Sequence, residues 1–288
     1  MLTETFHSIA AAGRKLLKNP STILLLAVVY ATLLAALYFF MAIREASIVQ
    51  VALTFGLAVA AFVLFFLLHA MVVGRIAGGS GESGNGSWLK SSAVNLWKLV
   101  LISLPLIGLG VLIAYLLNKA QNYFGVGADS TNNMLEPMVA SRSRKPAAAP
   151  INWRVAIFSS LRYLSFGLLL PLATIHLWLA TVRDGLWPAV RKIGAHLSRA
   201  FAPQSVLIYI LGFLVFGLLP YFLLFKPVPT SKAWLEISLL VVRLAVVFAL
   251  TLFGWVVTVW ALSISSVPSA AATSTSPAPS TEPLKEAV

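Results

Sequence analysis

Cysteine is absent from this 288-residue chain, which excludes disulfides, thiolate metal sites and thiol nucleophiles. Charge is scarce as well: 10% of the residues are charged, with nine Asp and Glu against 21 Lys and Arg. A soluble domain carries about a quarter charged residues. The positions of the acids exclude more than their number does. Glu4, Glu45, Glu82, Asp129, Glu136, Asp184, Glu236, Glu282 and Glu286 all lie outside the long apolar runs. Ion-coupled carriers commonly hold the coupling ion on carboxylates buried among their spans, and metal-dependent hydrolases need carboxylates too. No Ser–His or Ser–Lys arrangement provides a nucleophile with a nearby base. We therefore expect no enzyme, no cofactor and no metal centre.

The chain is instead rich in apolar residues, which make up 59% of it, with a mean hydropathy of +0.89. They fall into six runs, at 21–43, 47–73, 99–117, 155–182, 204–225 and 237–266. A hydrocarbon core about 30 Å thick needs about 20 apolar residues of helix, and each run meets or nearly meets that length. The expected fold is all-α and polytopic, with a six-helix membrane domain over 21–266. The first run is too long for the apolar core of a cleavable leader, so we expect it to remain as a span.

Three segments outside the spans share a design. Residues 6–18 place Phe6, Ile9, Gly13 and Leu17 on one helical face beside Arg14, Lys15 and Lys18. Residues 88–98 set Trp88, Leu89, Leu96 and Trp97 against Lys90 and Lys98. Residues 187–201 group Val190, Ile193, Leu197 and Phe201, with Arg191, Lys192 and Arg199 on other faces. Spacing of i, i+3, i+4 and i+7 marks an amphipathic helix, and basic examples lie in the headgroup plane. Pro20 and Pro203 give the first and third a corner before the following span. The chain thus reads as three units, each a basic surface helix followed by a span across and a span back, with anionic lipid headgroups as the expected partners. This use of the basic residues makes nucleic acid an unneeded explanation for a net charge of +12. Basic residues are more numerous on the side of Arg14, Lys18, Arg75, Arg183 and Arg191, which favours both termini in the cytoplasm, and the short loops suit a bacterial inner membrane. The segment 118–153 becomes an external loop, and 267–288, rich in Ala, Ser, Thr and Pro, reads as a disordered tail.

Few residues interrupt the spans. Arg162 and Arg243 each lie about two turns into a helix that enters from the external side. Either they snorkel to the interface or they form an anion or lipid-phosphate site, for which the guanidinium fork is suited. His69 and His176 lie inside spans two and four and are candidates for hydrogen bonds across a helix interface. Pro105, Pro171 and Pro220 fall inside spans three, four and five, where each frees a carbonyl and bends its helix. Gly108, Gly110, Gly212 and Gly217 would permit close helix approach. Trp153, Trp178, Trp234 and Trp260 stand near span ends, as an interfacial aromatic belt requires, while Trp255 lies deeper. The glycines of 78–87 match a dinucleotide pattern only by spacing, because a span and not a strand precedes them. The sequence supports a non-enzymatic scaffold or accessory subunit of a membrane assembly, with a protein partner in the membrane. A permease for an anionic or lipid-like substrate is the alternative.

Overall fold

A computed structural model of the chain describes residues 2–17, 20–43, 47–77, 85–124, 153–226 and 233–265. Every regular element among them is helical, and six helices are long and apolar enough to cross a membrane. In lipid, backbone polar groups must be satisfied within the segment, and a helix does so. The helices are α1 (Leu2–Leu17), α2 (Pro20–Ala42), α3 (Ile48–Ala77), α4 (Asn85–Tyr123), α5 (Trp153–Asp184), α6 (Leu186–Arg191), α7 (Ile193–Ala200), α8 (Pro203–Phe225) and α9 (Ala233–Ser265). The spans are α2, α3, α4, α5, α8 and α9, so the protein is a polytopic integral membrane protein. The face that carries α1, α6 and α7 is called proximal below, and the other distal.

Each of the three basic amphipathic segments is helical, and each ends differently. The first is α1, set off from α2 before Pro20. The third folds as two short helices, α6 and α7, meeting at Lys192. The middle one runs without interruption into the third span, so that α4 reaches 39 residues. No proline or glycine stands between Trp88 and Leu99 to turn the chain, and nothing else ends the helix. At its other end α4 continues to Tyr123, several residues into the segment expected to be a loop. Residues 125–152 of that loop, the tail and residues 78–84 lie outside the described residues.

α3 packs on α2, α4 and α5, and α9 closes the bundle against α3 and α5 while α8 packs on its other side. α1 docks on α9, α8 and α2, burying Ala12 and Leu16. Burial concentrates toward the proximal ends: Leu68 to Val73 of α3, Leu99 to Ile102 of α4, Leu172 to Thr181 of α5 and Val256 to Leu262 of α9 contribute most of it. The distal portions turn apolar side chains outward, as at Phe55 (72% exposed) and Val241 (60% exposed). In a bilayer those side chains are solvated by acyl chains.

Two of the intramembrane prolines share a local geometry. A π turn, Ser165–Leu169, precedes Pro171, and another, Leu214–Leu218, precedes Pro220. In each, the residue just before the proline donates its N–H five residues back, Leu170 to Ser165 and Leu219 to Leu214. Proline has no N–H, so the carbonyl four residues earlier loses its usual partner. For Pro171 that carbonyl belongs to Gly167, and the Tyr209 hydroxyl of α8 donates to it at 3.0 Å. The bend in α5 is thereby tied to α8. Pro105 carries no such turn, and α4 is regular around it.

Candidate functional site

A large open groove lies between α3, α4, α5 and α9. It has a volume of about 800 Å³ and is mostly apolar. Phe62 and Phe65 of α3, Ile107 and Val111 of α4, and Phe166 and Pro171 of α5 form its walls. Its polar groups are His69, Ser103, Thr174, Trp178 and Trp255, and no Lys, Arg, Asp or Glu lines it.

His69 is central to this site. It is 7% exposed, and its Nδ1 lies 2.6 Å from the Phe65 carbonyl one turn earlier. A carbonyl only accepts, so Nδ1 carries the proton and, in the neutral ring, Nε2 is left as an acceptor. The ring is clamped edge-on by two indoles, Trp178 at 4.8 Å and Trp255 at 5.0 Å between centroids, with Phe65 at 4.2 Å. Three helices thus meet at one imidazole. The expected hydrogen bond across the interface is replaced by one within α3, and the interhelical contact is aromatic.

Trp178 is anchored in turn. Its Nε1–H donates to Ser103 Oγ at 2.8 Å, and the Ser103 hydroxyl in turn donates a hydrogen bond to the Leu99 carbonyl at 2.7 Å. Trp178 is 4% exposed and Trp260 8%, so neither belongs to the interfacial belt, whereas Trp153 and Trp234 at the distal ends stand where such a belt would be. Trp255 keeps the deep position read from the sequence, but its Nε1–H is buried with no partner. Burying an indole donor unpaired costs roughly 1–3 kcal/mol.

The other candidates lie elsewhere. Arg162 donates to Asn118 Oδ1 at 2.7 Å, joining α5 to the distal end of α4. Arg243 donates to the Lys226 carbonyl at 2.8 Å, the acceptor left at the C-terminal end of α8. Each guanidinium thus secures a distal helix end, and the two serve different helix pairs. Pro171 lines the groove, Pro220 is buried beside α9, and Pro105 lies between Ser103 and Leu106 of the groove wall. Gly110 faces Leu170 Cδ1 at 3.5 Å, within ordinary contact, and Gly108 faces open space.

His176 belongs to a second cluster, outside the groove. α5 ends at Gly185, whose φ of +92° favours glycine, and the chain turns so that α7 lies back on α5. This buries His176 (4% exposed), Thr181 (0%) and His196 (6%), with His176 Nε2, Thr181 Oγ1 and His196 Nε2 all lacking partners. Burial lowers the pKa of His196 below its ordinary 6.5, and Arg199, Arg183 and Lys192 lower it further, against an opposing pull from Asp184. The docked helix therefore favours neutral His196, while an undocked one would titrate near 6.5. Docking of α7 should be firm above that value and weaken as pH falls below it. Hydrogen exchange of residues 193–200 should show falling protection between about pH 7.5 and 5.5, and His196→Gln should flatten the dependence. A flat profile in the unmodified protein would remove His196 from the docking energetics.

No group of three or more His, Asp or Glu residues is placed to hold a metal among the described residues. Comparison of the chain with protein-family models, with curated proteins and with solved structures returned no match.

Proposed function

We propose that the protein is a non-enzymatic membrane component that holds a lipid-like molecule in the groove between α3, α4, α5 and α9. The observation that carries this reading is the groove itself: about 800 Å³, walled by Phe, Ile, Leu and Val, with His69 held between Trp178 and Trp255. Ligand sites of a few hundred to a thousand cubic ångströms, apolar with a few convergent polar groups, are the usual form of a small-molecule site. The absence of any cation in the lining favours the lipid-like half of the substrate class over the anionic half. Anionic headgroups would instead meet the basic surface of the proximal face, where Arg14, Arg191, Lys192 and Arg199 are exposed. The same basic bias supports a cytoplasmic proximal face in a bacterial inner membrane.

A permease is the second reading, favoured by the π turn before Pro171. That turn lies at the groove wall and is tied to α8 through Tyr209, so a shift of the bend would alter the groove and α8 together.

The test uses the purified protein in lipid nanodiscs with a diazirine-bearing fatty acyl probe, and maps the crosslinked residues. Labelling should concentrate on Phe62, Ile107 and Val111 and should drop several-fold in Ile107→Trp, which fills the groove from an exposed position. Labelling spread evenly over the lipid-facing surface, and indifferent to that substitution, would overturn the reading.

A further inference from the structure

Trp255 borders two spaces. One is the groove between α3, α4, α5 and α9. The other is a recess of about 130 Å³ between α8 and α9, lined also by Tyr209, Gly212, Thr251 and Thr258. No other residue lines both. The groove itself has an outer and an inner end. Phe62, Ile107 and Val111 are exposed, whereas His69, Ile175 and Trp178 are buried. Trp255 stands at the inner end, edge to face with His69 at 5.0 Å between centroids.

We propose that the groove takes a lipid chain tail-first and that Trp255 is the stop that sets the chain length it accepts. The direction follows from the inner end, which offers nothing to a charged head. No Lys, Arg, Asp or Glu lines the groove, and Trp178 and Ser103 spend their hydrogens within the protein. An unpaired charge buried there is strongly unfavourable, while an acyl or alkyl tail suits the apolar walls. The head stays at the outer end, near the exposed residues. The stop follows from the recess. Beyond Trp255 lies open space, so the chain is halted by one side chain and not by the packed body of the bundle. The backbone that carries this side chain is fixed. Gly254 lies so close to Phe216 of α8 that a methyl group there would overlap it. Trp255 is thus a specificity-determining residue, and shortening it joins the recess to the groove.

This inference rests on the groove being a lipid site, and the experiment separates the two. The protein in nanodiscs is exposed to fatty acid methyl esters of rising chain length, each with a diazirine on its terminal carbon. Labelling of Ile175 and Trp178 should peak at an intermediate length and fall several-fold for the longest chains, with Gly212 and Thr258 at background. In Trp255→Ala the peak should move to longer chains by several carbons, and the longest should label Gly212 and Thr258 several-fold above the unmodified protein. Adding Ile107→Trp, which fills the outer end, should abolish that recess labelling. Trp255→Phe should give an intermediate peak. An unchanged length profile in Trp255→Ala overturns the stop and leaves the lipid site standing. Recess labelling that persists with Ile107→Trp overturns it as well, since the probe then enters by the α8 flank. If a diazirine beside the ester labels Ile175 and Trp178 better than a terminal one, the tail-first direction is wrong. If no probe labels the groove above the general lipid-facing surface, the lipid site itself fails and the stop with it. Should Trp255→Ala lose abundance, the profile of the unmodified protein still decides, because the absence of a preferred length removes the stop.

Discussion

Gly254→Leu should leave little folded protein in the membrane, and Gly254→Ala should lower its thermal stability in detergent by several degrees. A methyl group at Gly254 would overlap the Phe216 side chain, and one at Gly212 would overlap that of Thr258. The two pairs lie four residues apart on each helix, glycine of α8 facing Thr258 of α9 and glycine of α9 facing Phe216 of α8, so the antiparallel helices interlock through them. Overpacking of a filled interface costs typically 1–3 kcal/mol, and more where no rotamer relieves it. Here the clash begins at Cβ, which has no rotamer, and the obstacle sits on the π turn of α8. Close packing also matters more within a bilayer, because lipid tails are as apolar as leucine and burial alone does not drive helices together. The double variant Gly254→Ala with Phe216→Ala should recover much of the loss. Measured by thermal retention of monodisperse protein, an unaltered Gly254→Ala single variant would show that α8 and α9 do not approach this closely.

Trp178→Ala should be the most damaging change at the groove. The indole fills the space between Phe65, Phe66 and His69, at 6.5, 6.1 and 4.8 Å between centroids, and it holds Ser103 across the α4–α5 interface. Large-to-small replacement of a buried Trp costs about 3–5 kcal/mol in soluble proteins. The value in lipid should lie toward the lower end, since part of that cost is transfer from water. Trp178→Phe separates the contributions: it keeps most of the ring contact and loses the hydrogen bond, for about 0.6–1.7 kcal/mol in a membrane. The expected order of stability is unmodified, then Phe, then Ala. Near equality of Phe and Ala would mean that the bond to Ser103, and not the packing, holds α4 to α5.

The spans were legible because a bilayer imposes a length and a composition that six runs meet with little ambiguity. Their ends were less so. Apolar content stops where lipid stops, but a helix stops where its backbone is capped or turned, and α4 passes both expected limits because nothing turns it. The positions of His69 inside span two and Trp255 deep in span six were readable. Their meeting was not, since helix rotation and neighbour order leave no trace in hydropathy. Sequence alone makes Trp178 an interfacial anchor, because it lies four residues before the end of the apolar run 155–182. Its burial depends on α3 and α4 both reaching past that point. Gly254, flanked by Phe253 and Trp255, gave no sign of a close approach without its partner Phe216. Arg162 and Arg243 stood out as charges within apolar runs, whereas the acceptors they meet, an Asn side chain and a backbone carbonyl, carry no charge pattern to reveal them.

The uninterrupted length of α4 has a mechanical implication. At 1.5 Å per residue its 39 residues extend about 58 Å, nearly twice the thickness of the oily layer it crosses. Ser92 and Asn95, buried near Gly74 of α3, brace the first part of this rod before it enters the hydrocarbon. Any object that grips the outlying portion would therefore act on a rod pinned at two points, that brace and the Ser103–Trp178 bond, before its pull reached the wall formed by Ile107 and Val111.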